Sequence, residues 1–89
     1  MSPKILEVGS LILWFHSYDA LHENRASIHV GKGSQSDHND AKIWLEPEIT
    51  IAHSGRTLRK HELNKALAVI EQHHEFLLEA WYDFRGRTS

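Results

Sequence analysis

From Leu63 to Phe84 the core-type positions recur at alternating spacings of four and three: Leu63, Leu67, Ile70, His74, Leu77, Trp81 and Phe84. That rhythm keeps all of them, including one histidine, on one side of an α-helix about six turns long. Ala66, Val69 and Leu78 widen the stripe to the breadth of a helix lying on a globular core, whereas a coiled-coil seam would be narrower. Thr57 is the best cap by residue type, but Glu62 suits the third position of a helix capped near Arg59. The spacing therefore predicts a start at residues 58–60 and one long helix over about 59–85, with Gly86 as the C′ residue. His74, central in the stripe, is expected to be a core histidine satisfied by one hydrogen bond, to a strand carbonyl or a carboxylate.

Upstream of the helix the apolar period changes to two. Residues 4–8 read as a short edge strand or an extended lead-in, and 11–18 (LILWFHSY) as the strongest strand. Residues 19–26 read as a turn, 27–31 as a strand, 31–40 as a flexible loop without an apolar anchor, and 41–45 and 48–52 as further strands. Alternation puts Leu11, Leu13, Phe15, Ile28, Val30, Ile43, Leu45, Ile49 and Ile51 on one face, which the helix stripe needs as its partner. The expected fold is α+β: a three- to four-stranded antiparallel meander within residues 4–52 packed on one long C-terminal α-helix. It is a two-layer sandwich forming a single domain over residues 1–89.

Composition narrows the function classes. A formal charge of −2 argues against a dedicated nucleic-acid binder, although Arg56, Arg59, Lys60 and Lys65 allow a local basic patch. The absence of cysteine excludes disulfides and thiolate metal sites. No run approaches the roughly 20 apolar residues of a membrane span, and the first residues lack a secretion signal, so a cytoplasmic protein is the default. Eight histidines make solubility and association sensitive to pH between about 7 and 5.5.

At KIWLEPEI, and again at LRKHELNKALAVIEQHHEFLLEAWYDFRG, the chain resembles a small bacterial family called domain of unknown function 4160. Trp44, Leu45, Pro47, Glu62, Leu63, Leu77, Leu78, Glu79, Ala80 and Trp81 carry the resemblance, which extends over nearly the whole chain. Many relatives have a His-x-His element after a proline pair in the second strand. Here Ser27-Ile28-His29 keeps only the second histidine, and Arg25 and Ala26 stand where the prolines would be. The resemblance implies a bacterial protein. Genes of the family often lie beside those of domain of unknown function 2442 in pairs labelled toxin–antitoxin-like, which implies a protein partner. It implies no reaction.

The residues leave two readings. Trp14, His16, Tyr18, His29 and Trp44 fall on the sheet face opposite the helix, which one helix cannot cover, and form a candidate interface for a second copy or a neighbouring gene product. This interaction module is the leading reading. The alternative is a small RNA-directed, nuclease-like toxin in which His29 and His16 serve as acid and base and Arg25 or Lys42 meets phosphate. His16, His29 and His53 are placed to converge, with Asp37, His38 and Asp40 in the loop as further potential ligands. No spacing resembles a zinc motif, and neither metal nor cofactor is expected.

Overall fold

In the computed structural model, which describes residues 2–36 and 38–88, five strands form one antiparallel sheet in chain order. They are β1 (Lys4–Val8), β2 (Leu11–Trp14), β3 (Ser27–Lys32), β4 (Ala41–Trp44) and β5 (Thr50–His53). The architecture is α+β, with five strands where three or four were expected, because residues 4–8 pair with β2 as a strand, with one slip between Lys4 and Leu6. Three helices complete it: α1 (Ser17–His22), α2 (Lys60–Gln72) and α3 (His74–Thr88). Among the described residues no helix is long and apolar enough to cross a membrane.

The expected apolar face is the core. Leu11, Leu13, Phe15, Ile28, Val30, Ile43 and Leu45 are buried against Ala66, Val69, Ile70, Leu77 and Trp81 of the helices. Each of these strands buries one side of its alternation there, as the pleat requires. Ile51 departs from the pattern. It pairs with Ile43 in register, yet β5 is the sheet edge and Ile51 stays 43 % exposed. At the helix start, the Arg59 amide donates to the Glu62 carboxylate at 2.9 Å, so Arg59 is the cap and Glu62 the third residue. Gly55, at φ +67°, makes the turn between β5 and α2, where a Cβ would stand 2.2 Å from the Asn39 carbonyl.

Three expectations are corrected. The single long helix is interrupted at His73, whose φ of −109° and ψ of 22° leave the helical region. A straight helix over residues 60–88 would be about 43 Å long, more than the longest dimension of the molecule, 34 Å, and the break lets both segments lie on the sheet. His74 follows the break, is half-buried, and its Nε2 bonds the carbonyl of Leu45, the residue just past β4. At the other end Gly86 keeps a negative φ, and α3 runs on through Thr88. Finally, β2 stops at Trp14, and residues 17–22, expected as strand end and turn, form α1 with the His16 side chain accepting from the Tyr18 amide at 3.2 Å.

Candidate functional site

The sheet face away from α2 and α3 is not open. Side chains on it run Trp14, His29, Lys42, His53 across four strands in register. The segment after β3 folds over the Trp14 end of this row, and α1 covers its middle at His29 and Lys42, while His53 stays exposed. Trp14 is 0 % exposed and His29 4 %, so neither is the exposed interface residue expected from alternation. The cover uses polar groups rather than a second apolar helix.

Asp40, itself fully buried, organises the first end. Its carboxylate accepts from the Trp14 indole Nε1 at 2.9 Å, the Ser36 amide at 2.9 Å and the Thr57 hydroxyl at 2.6 Å. Gly31 lies beneath it, and any Cβ there would come within 2.3 Å of Asp40 Oδ2. The segment expected to lack an anchor is thus pinned by a carboxylate, and β3 extends through Lys32 before it begins. His38 is exposed, and Asp37 lies outside the described residues.

Asp19 organises the middle of the row. His29 Nε2 donates to its Oδ2 at 2.8 Å, Lys42 Nζ stands 3.6 Å away, and the Ser27 hydroxyl lies 3.5 Å from the same oxygen. Lys42 also bridges to Glu23 at 2.8 Å. Burial alone would raise the Asp19 carboxyl. The His29 hydrogen bond and the charges of Lys42, His29 and His16 outweigh it and hold the group below its ordinary value. His29 Nδ1 is buried and has no hydrogen-bond partner among the described residues. Trp14 stacks on the ring at 4.7 Å, with His16 at 5.5 Å and His53 at 6.4 Å, and the three strand histidines do converge.

The remaining candidates lie around this cluster. Trp44 is half-buried beneath two cations, the Arg25 guanidinium at 4.2 Å and Lys42 Nζ at 4.6 Å from its ring centre. Arg25 is further held through its Nε to the Glu46 carbonyl at 2.6 Å. His16 is half-buried, and Tyr18 is 61 % exposed on α1, stacked with His22 at 4.2 Å. Asp19 and Glu23 were missed from sequence because α1 turns its acidic residues inward; an acid in the first turn after Ser17 was the available signal.

The two edges of the sheet differ. β1 carries Lys4 and Glu7, paired at 2.9 Å, and its register slips between Lys4 and Leu6. Charge and irregularity of this kind protect an edge from pairing with another chain. β5, TIAH, carries neither lysine, acid nor proline, and all four of its residues are exposed, although its register against β4 also slips, between Lys42 and Ile43.

No curated protein and no solved structure is matched by the chain. The family model described as domain of unknown function (DUF4160) matches residues 11–82, which span β2 to β5, α1, α2 and most of α3. The chain belongs to the DUF4160 family.

Proposed function

We propose that this chain is a protein-interaction module that accepts an extended strand of a protein partner on the open edge of its sheet. The observation that carries the reading is the contrast between β1, which carries the Lys4–Glu7 ion pair, and β5, which has neither lysine nor acid and is exposed throughout. An edge strand presents a row of unpaired backbone donors and acceptors, and only another extended backbone satisfies them in series. This moves the contact away from Trp14 and His29, which the fold already buries, to a surface available without rearrangement. A partner encoded by an adjacent gene, as in a toxin–antitoxin-like pair, fits the same edge. Amide exchange across β5 tests the reading on the protein recovered from its native host. Slowed exchange at Thr50 to His53 in a complex supports it, and a complex that leaves those amides as fast as in the isolated chain overturns it.

A second reading, an RNA-directed nuclease-like activity, is favoured by the convergence of His16 and His29 beside a carboxylate that orients one of them. Against it, His29 is enclosed, no cavity opens to it among the described residues, and Arg25 is committed to Trp44 and Glu46. Growth arrest on induced expression that is relieved by His29→Ala, with the variant folded, would support this reading.

A further inference from the structure

We propose that the partner strand received at β5 carries an acidic stretch, and that Arg56, Arg59, Lys60 and Lys65 hold that stretch at one end of the sheet. The inference rests on the edge reading above and adds the chemistry of the partner.

The positive side chains of this chain fall into two groups. Lys4, Lys32, Lys42 and Arg87 are ion-paired with Glu7, Glu62, Glu23 and Asp83. Arg25 donates to the Glu46 carbonyl and Arg85 to the Asn24 side chain. Those side chains account for every Lys and Arg outside residues 56–65. Within that stretch Arg56, Arg59, Lys60 and Lys65 are all exposed, and among the described residues no carboxylate pairs with any of them. The one acid there, Glu62, is taken by Lys32 at 2.6 Å and by the Arg59 amide at 2.9 Å. A chain of net charge −2 thus keeps an uncompensated positive pole. Surfaces that serve solubility intersperse the two signs, whereas a single-sign cluster acts on an oppositely charged partner.

The place of this cluster in the fold links it to β5. Gly55 turns the chain at the end of the strand, and the Arg56 and Thr57 amides donate to the Asn39 carbonyl at 2.7 and 3.1 Å. Arg56 is therefore fixed just beyond the open strand, and Arg59 and Lys60 begin α2. Lys65 lies over the turn between β1 and β2, its Nζ 3.7 Å from where a Gly9 Cβ would stand. The positive surface thus runs from the exit of β5 across one end of the sheet.

The register slip in β5 gives this surface its role. Ile43 pairs with Ile51 and Lys42 with His53, which leaves Ala52 without an opposite residue. The ladder offered to a partner is irregular there, and charge continues the contact where backbone pairing stops. Antiparallel addition, the sense of every pair in this sheet, brings the residues that precede the partner strand to this end. An acidic protein segment fits better than a long polyphosphate, which would also meet the acids that make the chain net negative.

Two fluorescent peptides with the same Thr-Val repeat strand test the proposal, one led by four glutamates and the other by four lysines. Anisotropy with the full chain at about 0.05 M salt should favour the acidic peptide by about tenfold or more, and the preference should shrink at about 0.5 M. Arg56→Glu with Lys60→Glu should abolish the preference, and Arg56→Gln with Lys60→Gln should reduce it. Both positions are exposed, so circular dichroism should find the variants folded. Amide shifts should move together at Thr50 to His53 and at residues 56–65. Equal affinity for the two peptides, or no binding of either, overturns the acidic-segment proposal; equal affinity with shifts at β5 leaves the edge reading standing. Shifts confined to residues 56–65 overturn the edge reading instead and leave the acidic recognition in place. A single-stranded RNA that displaces the acidic peptide from residues 56–65 at lower concentration makes the ligand a nucleic acid and overturns the proposal.

Discussion

Asp19 of α1 and His29 of β3 meet at 2.8 Å on the sheet face that faces away from the long helices. The bond joins a short, mostly polar helix to the sheet, and Lys42 with Glu23 doubles the attachment. Because the Asp19 carboxyl is held below its ordinary value of 3.8, the pair stabilises the fold at neutral pH. That contribution is lost as the pH falls through the folded value.

Asp19→Asn should therefore flatten the acid limb of the stability profile. Urea midpoints between about pH 6 and pH 3 should fall more steeply for wild type than for the variant, with other carboxylates setting the common slope. At neutral pH, Asp19→Ala should cost about 1–3 kcal/mol, since His29 Nε2 and Lys42 lose their buried acceptor. A wild type and an Asp19→Asn variant with parallel profiles would refute the role given to this carboxylate.

Asp40→Ala should cost about 2–4 kcal/mol, because three donors lose one acceptor and the Trp14 indole is among them. Tryptophan emission should shift to the red, and amide exchange in residues 33–40 should accelerate. Unchanged exchange there would mean that the segment is held by something other than Asp40.

Two glycine substitutions should have opposite signs. Gly31→Ala forces a methyl to within 2.3 Å of Asp40 Oδ2 and 2.5 Å of the Ser34 carbonyl, and should destabilise by about 1–3 kcal/mol. Gly86→Ala meets nothing within 4 Å in the last turns of α3, and should stabilise by up to about 1 kcal/mol. Thermal midpoints of the two variants make the comparison directly.

Trp81→Ala should be among the most damaging changes, at roughly 3–5 kcal/mol, since the ring is wholly enclosed beneath α3. Trp81→Phe should cost much less. The indole Nε1 is buried with no hydrogen-bond partner among the described residues, so phenylalanine removes an unsatisfied donor along with the lost area. Equal losses for the two variants would imply that a partner for Nε1 exists in solution.

Legibility in the sequence followed the length of each pattern. The helix stripe from Leu63 to Phe84 repeats often enough to set its phase, and the core matches it apart from the break at His73. No glycine or proline marks that break. The six residues of α1 are too few for a 3.6-residue period to emerge, and the helix buries Asp19 while exposing Tyr18 and Leu21, the reverse of the usual amphipathic order. Trp14 and His29 were correctly assigned to the face opposite the helix, but their burial depends on Asp40 and Asp19. Those carboxylates come from distant or irregular segments, and no local period announces them. The open edge at β5 was invisible for the same reason, since a strand's place in the sheet follows from pairing.

The strictly sequential strand order has a consequence for how the molecule assembles. Each strand finds its partner immediately before or after it in the chain, so the sheet forms through short loop closures and pays little entropy for topology. The residues that seal its apolar face, from Ala66 to Trp81, all come later than the strands they cover. During synthesis the strands therefore leave the ribosome before the residues that cover their apolar face, and those apolar side chains meet water first. That interval is when this chain is most prone to stick to another copy of itself.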